Sequence, residues 1–270
     1  MLSSERILVA DDIATGLTRK SYRLLDTWVN ALTQPELNRL LQDIISAGGR
    51  RIVANHNLHS LYVYHHDSKM RDFYQQADYI HVDGMAMVAI GRLFGLPLER
   101  KHRVTYADWI YSIMSEAARH RWRVFYLGAK PGIAEKGAEI LRQQHPTLQL
   151  KTAHGYFDMR PDSYDNQAVI AAINQYRPHI LMVGMSMPRQ EHWILDNISR
   201  LKTNVILPSG AAIDYVSGSV PTPPRWAGRW GLEWLFRLFA EPRRLGQRYL
   251  IEPWFVLKIL LLRYAKRVLS

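Results

Sequence analysis

Residues 123–144 read RVFYLGAKPGIAEKGAEILRQQ: an apolar run, Val124-Phe125-Tyr126-Leu127, a glycine-bounded turn, Gly128-Ala129-Lys130-Pro131-Gly132, and an amphipathic stretch to Gln144. A short β-branched and aromatic run that stops at glycine and gives way to a 3.6-residue period marks a strand feeding a helix. The same alternation extends in both directions. Strands are expected at 7–10, 51–54, 79–82, 123–127, 148–152, 180–183 and 204–207, and helices at 34–47, 58–66, 70–76, 85–94, 106–120, 132–144, 165–175 and 189–198. This βαβα order predicts an α/β fold, a Rossmann-like, mostly parallel sheet with flanking helices.

In such a sheet ligands sit outside the carboxyl ends of the strands, so the residues that follow each strand are the ones to inspect. Five ends carry chemistry: Asn55-His56-Asn57, Asp83-Gly84, Gly128 to Gly132, Gly184 to Glu191, and Ser209 to Asp214. The Gly128–Gly132 turn opens a helix whose backbone N–H groups can receive a phosphate, or it is a plain turn. It is neither a GxGxxG fingerprint nor a P-loop, so neither NAD nor ATP is indicated. Pro188 starts a helix with Gln190 and Glu191 in its first turn. Gln190 can donate and accept toward a base or sugar, whereas Glu191 either contacts a ligand or complements the helix dipole. Asp83 is either a general base at the sheet lip or the cap of the next helix.

Composition sets the outer bounds. With 270 residues at 47% hydrophobic, the chain can build one large domain and an appendage. Cysteine is absent, which removes disulfides, thiolate nucleophiles and Cys-zinc sites. The N-terminal ILVA followed by Asp11 and Asp12 is too short and acidic for a signal peptide, so export is not expected. Residues 221–270 hold eight Arg and two Lys against three Glu, together with four of the eight Trp. That excess accounts for most of the net charge of +11, so nucleic acid is not the expected partner. The apolar run from Trp254 to Leu262 is interrupted by Lys258 and is far short of the ~20 residues a spanning helix needs. Indole rings at 226, 230, 234 and 254 among arginines instead suit an anionic membrane surface. The run from Gly218 to Pro224 breaks regular structure and divides a catalytic domain, 1–220, from a basic, aromatic, helical appendage, 221–270. Histidines 56, 59, 65, 66 and 81 lack HExxH spacing or a convergent carboxylate, so no metal is expected, and His65-His66-Asp67 reads as a solvated helix end.

Taken in order, these residues resemble the TagA/WecG/CpsF family of bacterial glycosyltransferases, glycosyltransferase family 26. The resemblance rests on Asn55, Ala77-Asp78 with Val82-Asp83-Gly84, Arg103 to Asp108, Tyr126-Leu127-Gly128 with Pro131-Gly132, and Gly155-Tyr156-Phe157. It continues through Val183-Gly184 with Pro188 to Glu191, Gly210 with Asp214, Pro224 to Trp226, Gly231 to Arg237, Glu241 to Arg244 and Arg248-Tyr249. Two departures stand out, Val53 where members carry threonine two residues before the asparagine, and Gln247 at a tail position often basic.

What the resemblance implies is sugar transfer from a nucleotide-sugar donor, usually UDP-linked, to a glycan on polyprenyl diphosphate at the cytoplasmic face of the plasma membrane. Such enzymes are inverting and need neither metal nor cofactor. The family's catalytic base falls on Asp83, its asparagine on Asn55, its pocket arginine on Arg103 and its glutamine on Gln190. The donor loops fall on Gly128, Pro131, Gly132, Gly184, Pro188, Glu191, Gly210 and Asp214. In the tail, Arg237, Arg244 and Arg248 are expected to meet the acceptor diphosphate, with Trp230 and Trp234 at the lipid surface. Peripheral attachment and self-association through the tail aromatics complete the expectation. Two other classes remain open on the residues alone: a nucleotide-dependent oxidoreductase, disfavoured by the missing glycine fingerprint, and a basic-tail anion or nucleic-acid binder, which leaves Asp83, Asn55 and Gln190 without a shared purpose.

Overall fold

The computed structural model describes residues 21–221 and 252–268, and between them positions 235, 238, 246 and 250. In chain order the elements are β1 (Ser21–Leu24), β2 (Thr27–Asn30), α1 (Gln34–Ala47), β3 (Arg51–His56), α2 (Leu58–His66), α3 (Ser68–Gln76), β4 (Tyr79–Val82) and α4 (Met85–Leu93). They continue with α5 (Tyr106–His120), β5 (Arg123–Gly128), α6 (Ile133–Gln144), β6 (Gln149–Ala153), α7 (Tyr164–Tyr176), β7 (Ile180–Gly184), α8 (Arg189–Asn197), β8 (Val205–Pro208), α9 (Ala212–Val216) and α10 (Glu252–Val268). The eight strands form one sheet in the order β1-β2-β4-β3-β8-β7-β5-β6. All pairings are parallel except β1 with β2.

Period-two alternation along each strand divides the core into two layers. Val53, Val124, Tyr126, Ile180, Met182, Val205 and Leu207 point to the side covered by α1, α5, α6 and α9. Ile52, Phe125, Leu127, Leu181, Val183 and Ile206 point to the other, covered by α2, α3, α4, α7 and α8. Helix α1 shows why these segments are helical. Leu37, Leu40, Leu41 and Ile44 make an i, i+3, i+4, i+7 stripe, all buried, and Glu36 accepts from the Thr33 backbone at 2.7 Å to close the first turn.

The expected strands from 51 onward and all eight expected helices are present, with ends moved by at most two residues. The strand expected at 7–10 lies outside the described residues. In addition the sheet gains the β1–β2 hairpin, whose turn residues Leu25 and Asp26 both take positive φ, 49° and 68°. Asn-Gly is the usual sequence for such a turn, so Leu-Asp hid it.

Beyond the body, α10 lies against α2. Glu252, 4% exposed, meets Nδ1 of His59 at 2.9 Å, Val256 is buried, and Phe255 lies against Tyr62, His65 and His66. The expectation of a solvated end at His65-His66-Asp67 is corrected accordingly: His66 stays exposed, but both histidine rings face Phe255, and Asp67 caps α3 by accepting from Met70 N. Trp254, Leu257, Leu261 and Leu262 occupy the outward side of α10.

Where β5 and β7 end side by side, a Cβ on Gly184 would overlap the Tyr126 hydroxyl and the Gly210 carbonyl. The Tyr126 ring is wholly buried and its hydroxyl is bonded to that same carbonyl, so neither neighbour yields cheaply. Gly184→Ala is expected to destabilise the protein by about 1–3 kcal/mol, read as a lower denaturant midpoint at unchanged slope; a wild-type midpoint would show that the strand ends have slack.

Candidate functional site

Because β4, β3, β8, β7 and β5 are neighbours and all parallel, the five chemically loaded strand ends stand in one row, Asp83, Asn55, Gly210, Gly184 and Gly128. At about 4.8 Å per strand the row is roughly 19 Å long. β5 leads outward to β6 while β7 leads back to β8, so the crevice between their carboxyl ends is a topological switch point, where open α/β sheets take ligands.

At one end of the row sits Asp83, half-buried. Its backbone N–H donates to His56 O at 2.8 Å, extending the β3–β4 pairing by one rung. The amides of Asn55 and Asn57 both donate to its Oδ2 at 3.2 Å. Asn57 is used twice, since its Oδ1 also accepts from Ser60 N at 2.9 Å and caps α2. Asp83 does not cap the following helix: Gly84 holds the N-cap position of α4. Sequence reasoning singled out Asn55 and passed over Asn57, although the Asn-His-Asn string carried the signal. Arg103 arrives beside this end through a backbone bridge to Val82, with its guanidinium 3.9 Å from the Asp108 carboxylate.

Beneath the carboxylate the layer is polar yet neutral. His56 is wholly buried, bonded to Thr27 Oγ1 at 2.8 Å and Ser60 Oγ at 2.9 Å, and stacked on Tyr74 with ring centres 3.9 Å apart. His81 is equally buried and meets Tyr106 and Trp109 edge-on. Burial pushes both imidazoles down to about 3. It also raises Tyr74 and Tyr106, and the charges of Asp83 and Glu191 add to the effect on both. These two phenols therefore sense both Asp83 and Glu191 at the start of α8.

The donor loops divide between packing and exposure. Gly128 and Gly184 are buried against each other, so their lack of side chain serves the contact of strand ends. Lys130, Pro131 and Gly132, the N-cap of α6, are exposed on the rim. Gly210, at φ +55°, has nothing within 4 Å of a Cβ position and so borders open space. Asp214 lies in the first turn of α9, and the pKa of the Tyr126 phenol is raised by burial first and by the Asp214 charge second. Pro188 is half-buried at the N-cap of α8.

Gln190 and Glu191 lie deeper than their spacing suggested. Gln190 is 2% exposed, its Oε1 accepting from Gly210 N at 3.1 Å and its Nε2 donating to Glu191 Oε1 at 2.8 Å. Its amide thus ties α8 to the β8 loop. An aromatic that sequence reasoning did not assign sits nearby. Tyr156, exposed in the loop after β6, covers the Arg189 guanidinium, and Gly155 N anchors that loop on Ala129 O at 2.9 Å. Arg237, Arg244, Arg248, Trp230 and Trp234 lie outside the described residues. Among the described residues no three His, Asp or Glu side chains converge as metal ligands.

The model of the glycosyl transferase WecG/TagA/CpsF family matches residues 22–268, so the chain belongs to that family and is a glycosyltransferase. Two curated relatives from Staphylococcus aureus, strains NCTC 8325 / PS 47 and COL, are each named N-acetylglucosaminyldiphosphoundecaprenol N-acetyl-beta-D-mannosaminyltransferase. Each is 27% identical to this chain over 184 residues, which is 68% of this chain and 69% of theirs.

The buried histidines make the site acid-sensitive. Their pKa values, about 3 when folded, lie below that of an exposed imidazole, so the unfolded chain binds the extra protons. Stability is therefore fully present above pH ~6.5 and falls as the pH drops from there toward 3. Each histidine contributes a slope of about 1.4 kcal/mol per pH unit in that window. His81→Leu is expected to remove one of the two slopes in denaturant unfolding followed against pH; an unchanged slope would mean that His81 is charged in the fold.

Proposed function

We propose that this member of the WecG/TagA/CpsF family transfers a sugar, in one inverting displacement, from a nucleotide-linked donor of the UDP-sugar class to a saccharide carried on polyprenyl diphosphate. The observation that carries the reading is Asp83, a half-buried carboxylate at the sheet lip on which the amides of Asn55 and Asn57 converge. Two amides on one oxygen fix the plane of the carboxylate, which a general base needs and a purely structural surface aspartate does not. The names of the two staphylococcal relatives, which specify a diphosphoundecaprenol-linked acceptor, support the acceptor class.

In this reading the acceptor hydroxyl gives its proton to Asp83 as its oxygen bonds to the anomeric carbon. The bond from that carbon to the donor phosphate oxygen breaks on the opposite face, and the nucleoside diphosphate leaves with the electron pair. Arg103 and the backbone N–H groups at the starts of α6 and α8 are the groups available to meet the departing charge without a metal. The row from Asp83 to Gly128 is long enough for an extended sugar nucleotide, with Tyr156 offering a ring face at its far end.

The lipid-linked acceptor implies work at a membrane surface, which we place at the cytoplasmic face. No described helix is long and apolar enough to cross a membrane. The outward side of α10, with Trp254, Leu257, Leu261 and Leu262 around Lys258, has the composition of an interfacial helix. Arg237, Arg244 and Arg248 are assigned to the acceptor diphosphate, and Trp230 and Trp234 to the headgroup level. The appendage, 221–270, thus serves the catalytic domain, 1–220, by delivering its lipid-linked substrate.

Asp83→Asn is expected to lower kcat by about 10³-fold while UDP still raises the melting temperature. An active variant would remove Asp83 as the base. Wild-type turnover should survive EDTA, and loss with rescue by Mg²⁺ or Mn²⁺ would make the reaction metal-dependent. The double substitution Leu257→Ser, Leu261→Ser should leave the melting temperature unchanged and lower co-sedimentation with anionic liposomes; undiminished binding would take α10 off the membrane.

A further inference from the structure

Two described carboxylates are buried, Glu252 and Glu191. Glu252 has an imidazole opposite it, whereas Glu191, with no exposure at all, makes no ion pair among the described residues. Its Oε1 accepts from Gln190 Nε2 at 2.8 Å, and its Oε2 makes no hydrogen bond. We propose that Glu191 is a positioning residue for sugar transfer: its oxygen fixes the amide of Gln190, and Gln190 fixes the Gly210 turn that borders the donor end of the site. The proposal rests on the donor reading given above.

The argument is one of orientation. A glutamine amide has two nearly isosteric settings, differing by a half-turn. With Glu191 Oε1 on one side and Gly210 N on the other, only one setting pairs donor with acceptor at both ends. The flipped amide would set N–H against N–H at Gly210, and would turn its oxygen to Glu191 Oε1, which could meet it only by carrying the carboxyl proton on that oxygen. Gly210 is then held at both ends, its N–H by Gln190 at 3.1 Å and its carbonyl by the Tyr126 hydroxyl at 2.9 Å. Its open side faces the space that a donor would enter. Glu191 thus acts on the site through Gln190 while touching no substrate.

The charge state fits this role. Burial raises the Glu191 carboxyl to about 8, so it is neutral at pH 7. A neutral acid tolerates an unpartnered Oε2 at far lower cost than a carboxylate would. Tyr74 from α3 and Tyr106 from α5 are the titratable groups that sense Glu191, both neutral themselves, and Asp83 shares them. With the folded pKa above the ordinary glutamate value, the stabilisation is complete below that value and is lost as the pH climbs through 8. Ionisation there places an uncompensated charge beneath Gln190, and activity should decline on the alkaline side.

Three measurements decide the matter. Glu191→Gln keeps the shape, an acceptor oxygen and neutrality, so kcat/KM for the donor should stay within about threefold of wild type at pH 7 and lose the alkaline decline. Glu191→Leu removes the acceptor and should lower kcat/KM by about 30-fold, chiefly through KM for the donor. Equal losses in both variants, a wild-type Leu variant or an unchanged alkaline limb in the Gln variant would each overturn the proposal. If the Leu variant does not fold, infrared spectroscopy decides instead. Wild type at pH 7 should show a protonated-carboxyl band that Glu191→Gln lacks and that fades toward pH 9, and its absence would overturn the proposal. A wild-type enzyme that turns over no nucleotide sugar would fail the donor reading, while the infrared band would still judge Glu191.

Discussion

Parallel pairing is the constraint on which everything else in this molecule depends. Once β4, β3, β8, β7 and β5 run the same way, every loop that follows them emerges at one edge, and residues as distant in sequence as Asn55 and Gly210 become neighbours. Both faces of the sheet must then be covered, which is why each strand carries apolar residues at odd and even positions and why helices fill both sides. The packing at the edge is close enough that Gly128 and Gly184 can carry no side chain.

The proposed chemistry at that edge needs a carboxylate beside a layer that does not compete with it. His56, His81, Tyr74 and Tyr106 are held neutral chiefly by burial. A cation below Asp83 would bind it and hold its proton affinity down; an anion would make the carboxylate a stronger base but harder to keep ionised. The amides of Asn55 and Asn57 help to set Asp83, and they are short side chains on backbone fixed by β3 and the start of α2.

The fold was largely legible because its signals are local. Val124 to Gly132 shows a strand, a turn and a helix start within nine residues, and the stripe of Leu37, Leu40, Leu41 and Ile44 declares its own helix. The hairpin at 21–30 escaped because Leu25-Asp26 gives no local sign of positive φ. For the site, sequence named the strand ends but not the depth of each side chain. Gln190 turns inward because Gly210 N lies on the next strand's loop, twenty residues on. His65 and His66 are partly covered by a helix that begins almost two hundred residues later. Contacts of that kind leave no periodic trace in the chain, and only assembly reveals them.

One element joins the two halves of the molecule. The cap of α2, Asn57, holds the Asp83 carboxylate, and two residues on His59 receives Glu252 of α10. Residues two apart at the start of a helix share its first turn, so a shift of α10 that pulls on His59 acts on the same backbone that carries the Asn57 amide. Breaking the His59–Glu252 contact would leave a buried carboxylate without its partner, which is costly, so the helix and the site resist separate movement. The apolar outer side of α10 is therefore linked to the proposed base through the His59–Glu252 contact, the first turn of α2 and the Asn57–Asp83 hydrogen bond, beside the packing of Val256 and Phe255.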